Sequence, residues 1–139
     1  MQWDNSITID APAEVVWGLN VEVERWPSMT PTMTKVERLE PGPLRLGATA
    51  RVKQPGQSAA VWTVTHFVDG REFAWQTKRL GMTMVGRHVV GPLDAASCRC
   101  TLSVSVTGFG SSLFGALIGP AITRALRLEN EGFKRHAVG

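Results

Sequence analysis

Two histidines in the middle of this 139-residue chain carry its most chemically suggestive spacing. His66 falls in phase with Trp62 and Val64, against Thr63 and Thr65, so it is expected to face inward from an alternating stretch. His88 shares a phase with Met82, Met84 and Val90, which turns Arg87 the other way. An imidazole aimed at an apolar interior can act as general acid or base, or hydrogen-bond a ligand carbonyl. A satisfied core or rim histidine fits the same spacing, so both roles stay open for each ring. Glu129 is the third candidate. It lies about 60° from Phe114 on a helical wheel, at the edge of an apolar stripe. There it either sets a carboxylate at one end of a pocket, opposite a histidine or Arg79, or turns outward to solvent. His136, near the chain end, is given no role.

What the sequence lacks narrows the chemistry further. There is no H-x-E or C-x-x-C pattern, no glycine-rich phosphate loop after a strand and no nucleophile elbow. Cys98-x-Cys100 with distant histidines is too loose a set for zinc. The chain has no tyrosine, so acid chemistry would fall to His, Glu, Asp or water. No pair of carboxylates stands out on one face. These absences speak against a hydrolase or a nucleotide-dependent enzyme, and neither a metal nor a cofactor is expected. Fifteen Lys and Arg against twelve Asp and Glu leave a net charge of +3. With the basic residues scattered, that charge points to solubility rather than nucleic acid. Cys98 and Cys100, two apart in a strand, lie about 6.5–7 Å apart on one face, a poor geometry for a disulfide. Free buried thiols fit a reducing compartment, there is no signal-peptide pattern, and no apolar run is long enough for stable membrane insertion. The expected location is the cytoplasm.

The elements that must position these residues follow from local pattern. Residues 3–10 alternate as a half-buried strand, with Trp3, Ile7 and Ile9 on one side. Asp10-Ala11-Pro12 opens a helix through Trp17, capped by Asp10 or its neighbour and ended over residues 18–20. A second short helix, about 22–26, is expected to stop at Pro27. Strands follow at 32–40, 48–54, 59–68, 71–79, 82–90 and 98–107, with Asp69-Gly70 the strongest hairpin turn. Residues 111–136 then form one long amphipathic helix, begun at Ser111 or Ser112 and interrupted by Gly119-Pro120, where a bend is expected. Phe114, Leu117, Ile118, Ala121, Ile122, Ala125 and Leu128 fall on one side of it, with Asn130 among the polar residues opposite. The order β-α-α-β-β-β-β-β-β-α reads as an α+β fold, a curved antiparallel sheet of about seven strands wrapped on one long helix. At 43% apolar residues and this length, one domain over 1–139 is expected.

The pattern Ile9-x-Ala11-Pro12-Ala13-Glu14-Val15-Val16-Trp17, continued by Val23-Glu24-Arg25-Trp26-Pro27 and Pro31, resembles the opening of the START-like superfamily. Gly42-Pro43-Leu44-Arg45-Leu46-Gly47, the hairpin Trp62-x-Val64 with Gly70-Arg71-x-Phe73-Ala74-Trp75, and Gly119-Pro120 extend the likeness over nearly the whole chain. The nearest subgroup is the small bacterial polyketide cyclase/dehydrase type, similar also to coenzyme Q-binding proteins. The resemblance implies a helix-grip domain, a container fold that serves enzymes, carriers and sensors alike. Many relatives carry an Asp at the start of the second helix where this chain has Asn20-Val21, so Asn20 is expected to cap that helix instead.

A bent sheet gripping one helix leaves a hollow, and Trp26, Met29, Met33, Trp62, Val64, Trp75, Met82, Met84 and His88 would line it. The first half of the last helix, Phe114, Leu117 and Ile118, would face the ligand and its second half the core. The mouth is expected near residues 27–31 and 41–47. The leading expectation is a small hydrophobic ligand, such as a lipid, isoprenoid, quinone-like or aromatic polyketide-like molecule, bound by a monomer or weak homodimer. The alternative is a cyclase, aromatase or dehydratase in which His66 or His88 moves protons.

Overall fold

A computed structural model describes residues 1–138. Seven strands form one antiparallel sheet: β1 (Gln2–Ile9), β2 (Lys35–Arg38), β3 (Thr49–Lys53), β4 (Ala60–Val68), β5 (Glu72–Arg79), β6 (Met82–Asp94) and β7 (Ser97–Gly108). Their spatial order is β1-β7-β6-β5-β4-β3-β2, so every chain-order neighbour from β2 to β7 pairs, and β1 closes on β7. Helices α1 (Ala13–Val21) and α2 (Trp26–Met29) follow β1, and α3 (Ser111–Val138) ends the chain. This is the expected α+β helix-grip architecture. Among the described residues no helix is long and apolar enough to cross a membrane.

Two glycines show why the hairpin and the helix sit where they do. Gly70 takes φ +77°, the left-handed turn that side chains resist, and swings β4 back into β5. Gly132 lies under α2, where a Cβ would collide with the carbonyl of Met29. A Cβ at Gly115 would run into the Met1 sulfur and press on the Trp3 indole of β1, and one at Gly119 would press on the same indole at 3.1 Å. A stripe of small residues thus draws α3 toward β1, β7 and the two short helices. On the far side, over β3 to β6, helix and sheet part. Gly132→Ala is expected to destabilise by about 1–2 kcal/mol, because a backbone carbonyl cannot rotate away and overpacking outweighs the gain of ~1 kcal/mol in helix propensity. Thermal denaturation reads the loss directly.

Several local expectations give way to the structure. Pro27 does not stop a helix; it sits in the first turn of α2, where its missing N–H has no partner to lose, after a 3-10 turn at Val23–Arg25. Helix α1 runs on to Val21, and Asp10 makes no cap bond; Pro12 stands at the cap position. Asn20 caps nothing, because it lies inside α1 and is fully buried. The first β-signal shortens to Lys35–Arg38, while β6 lengthens to Asp94. Helix α3 continues unbroken through Pro120, which faces solvent. Cys98 and Cys100 are buried free thiols, and burial pushes Cys100 up to about 12.

Candidate functional site

Where α3 parts from the sheet there is a cavity of about 580 Å³. Its floor is aromatic and sulfur-rich. Trp62 and Trp75 lie 5.6 Å apart between ring centres, and Met82 and Met84 continue the surface along β6. Gly86 makes this possible, since a Cβ there would press within 3.3 Å of the Trp75 ring. Trp26 from α2 and Met33 from the next loop close one side, and Phe114, Ile118 and Ile122 of α3 form the roof. Exposed lining residues Gln57, Ser58, Arg79, Leu80 and Ala121 place the mouth between the β3–β4 turn, the β5–β6 turn and α3. The loops at 27–31 and 41–47, expected at the mouth, do not border it.

His88 borders this cavity and is buried among rings. Its imidazole stacks on Phe73 at 4.6 Å and 6°, and on Trp26 at 5.0 Å and 15°. Phe73 is its cross-strand partner in the β5–β6 register, which fixes the first of these contacts. Nδ1 lies 2.8 Å from Oδ1 of Asn20. Burial holds the ring's pKa down at about 3, so it is neutral at physiological pH.

Glu129 is the second polar wall. Its carboxylate accepts a 2.9 Å hydrogen bond from the Thr32 hydroxyl, the residue that β2 leaves free by starting at Lys35. Burial pushes its pKa up to about 7, against the opposing pull of the Thr32 bond. A carboxyl that holds a proton near neutrality and a neutral imidazole therefore border one apolar space, a combination able to give or accept protons.

Other expected site residues lie elsewhere. His66 leaves the inner face because β4 bulges between Val64 and His66, reversing the alternation beyond it. Phe67 takes the inward position against Trp17, and His66 stands half-exposed with Nε2 3.5 Å from Glu72. Leu117 is 73% exposed, on the outer side of α3. Met29 and Val64 are buried in the core without bordering the cavity. The division of α3 into a ligand-facing first half and a structural second half also fails. Ala125, Leu126 and Glu129 carry the cavity wall well past Pro120. Asn130, placed with the polar residues, is fully buried and donates to Asn5 at 2.8 Å. Among the described residues no cluster of three or more His, Cys, Asp and Glu could hold a metal ion.

The family described as polyketide cyclase / dehydrase and lipid transport matches residues 2–138. No curated protein matches the sequence. Among solved structures, the chain is similar to the di-domain aromatase/cyclase BexL, at 24% identity and TM-score 0.76, covering 99% of this chain and 46% of that one. It thus spans less than half of that protein. It is similar to the Zhui aromatase/cyclase from a Streptomyces species at 19% identity and TM-score 0.71, covering 99% and 96% of the two chains. Truncated norcoclaurine synthase from Thalictrum flavum aligns at 15% identity and TM-score 0.78, covering 99% and 93%. At such identities the likeness establishes a shared fold.

Proposed function

The chain belongs to the polyketide cyclase / dehydrase and lipid transport family, and from that premise we propose that it binds a small hydrophobic molecule between the sheet and α3. The observation that carries this reading is the cavity of about 580 Å³, walled by Trp, Met and aliphatic side chains with His88 and Glu129 at its edges. Ligand sites of roughly 300–1,000 Å³ hold drug-sized molecules, lined by apolar groups with a few polar ones that set orientation. Withdrawing on the order of 300 Å² of ligand surface from water contributes roughly 7 kcal/mol, before association costs are subtracted. A lipid, isoprenoid, quinone-like or aromatic polyketide-like molecule has the required size and polarity.

A second reading is favoured by one specific feature. Neutral His88 and the proton-holding carboxyl of Glu129 border the same apolar space. That pairing suits a cyclase, aromatase or dehydratase, in which the walls fold a substrate and the two groups move protons.

Native mass spectrometry of the purified protein separates these readings. A hydrophobic molecule that co-purifies and is released unchanged supports binding; one released in cyclised or dehydrated form supports the enzyme. Ile118→Trp, which fills the roof of the cavity, is expected to weaken binding of an aromatic probe such as 2-naphthol at least tenfold. Undiminished probe binding in that variant, with nothing co-purifying, defeats the cavity reading.

A further inference from the structure

We propose that the polar end of the cavity is a subsite that reads a ligand hydroxyl, with His88 Nε2 as the acceptor and Asn20 as the residue that keeps it one. The proposal rests on the reading of the cavity as a ligand site and adds the chemical class that it selects. Asn20 is fully buried in α1, and its Nδ2 donates to the carbonyl of Val16 at 2.8 Å. A backbone carbonyl only accepts, so that end of the amide must be the nitrogen. The other end, at 2.8 Å from His88 Nδ1, is therefore oxygen. An amide oxygen has no proton to give, so Nδ1 carries the hydrogen. A neutral imidazole holds only one. Nε2 is left with a bare lone pair.

That lone pair has no protein partner among the described residues, and the ring borders the cavity while only 5% exposed. The imidazole cannot swivel to find a donor, because Trp26 and Phe73 hold it on both faces. A ligand that covers this nitrogen without donating to it leaves a buried acceptor unmet, at a cost of roughly 1–3 kcal/mol. A phenol, enol or alcohol O–H satisfies it; an ether or ketone oxygen at the same place cannot donate and repels it. Sites built to hydrogen-bond a hydroxyl discriminate against analogues that lack it more sharply than apolar walls discriminate by size. Asn20 does not border the cavity and acts through His88, as a positioning residue.

The test pairs 2-naphthol with 2-methoxynaphthalene, titrated by calorimetry, and reads the His88 tautomer of the free protein by 15N NMR. Expected are the Nδ1–H tautomer and at least a tenfold preference for the naphthol. Asn20→Leu is expected to bring that ratio toward one and to mix the tautomers. An Nε2–H tautomer in the wild-type protein overturns the proposal, whatever the variant does. Equal affinity for the two probes overturns the hydroxyl subsite while leaving the cavity a ligand site. If neither probe binds, both fall. A preference kept by Asn20→Leu overturns the part given to Asn20.

Discussion

Glu129→Gln is expected to turn a flat pH–stability profile into one that loses about 3 kcal/mol between pH 6.5 and pH 4.5. Two cavity-wall groups with opposite linkage, the buried His88 imidazole and the partly buried Glu129 carboxyl, produce the flatness. His88 has a folded pKa of about 3 against 6.5 for a free histidine. Below pH 6.5 the unfolded chain therefore takes up a proton that the folded one refuses, and stability falls by about 1.4 kcal/mol per pH unit as the pH drops. Glu129 has a folded pKa of about 7 against 4.5. Between those values the folded chain holds a proton that the unfolded one releases, so stability rises as the pH drops, at a similar slope. From 6.5 to 4.5 the two slopes cancel; below 4.5 the His88 loss continues, joined by Glu40 and Asp94, whose carboxyls are held below their usual range by hydrogen bonds from Thr49 and Ala96. Glutamine keeps an acceptor for Thr32 and removes the titration, leaving the His88 slope bare. The same change stabilises the protein above pH 7, where the partly desolvated carboxyl is otherwise charged. Urea midpoints across pH 4.5–8, followed by tryptophan fluorescence, decide the matter. Parallel profiles for variant and wild type would mean that Glu129 titrates as an ordinary surface carboxylate.

The strands were legible because alternation and turn chemistry are local. Asp69-Gly70 and the alternation of Leu102, Val104 and Val106 need no knowledge of the partner strand. The position of His66 is not legible in one strand, because a bulge is a property of two: the slip at Val64/His66 exists only in the pairing of β4 with β5. The inward face of α3 escapes the sequence for another reason. A helical wheel weighted by large apolar residues points to Leu117, whereas the backbone packs closest where side chains are absent, at Gly115, Gly119 and Gly132. Small residues set the tilt, and the tilt sets which residues meet the cavity. His88 was legible by phase alone. Its partner Asn20 was not, because the two stand 68 residues apart and meet only when α1 packs against β6.

Phe73→Ala is expected to cost about 3–5 kcal/mol, the usual range for a buried aromatic truncated in a core, and a large share of the roughly 5–15 kcal/mol that holds a domain together. Phe73 is fully buried and sits edge-on to Trp17 at 6.1 Å and to Trp75 at 5.9 Å, besides stacking on His88. Its loss removes apolar burial and three ring contacts, each pair of aromatics adding about 0.5–1.5 kcal/mol beyond area. The hole would open beside a cavity that already exists, so water has a path to it. A second effect follows that a purely structural role would not produce. With one face of its ring hydrated, His88 should recover part of its charged form, and its pKa should move up from about 3 toward 6.5. Phe73→Leu, which keeps most of the volume, should lose no more than about 1.5 kcal/mol and leave the ring dry. Denaturant unfolding measures the first effect and an NMR titration of the His88 ring the second. If the alanine variant unfolds at the wild-type denaturant concentration, or if His88 stays neutral to pH 4 in it, the aromatic sandwich is not what keeps that imidazole uncharged.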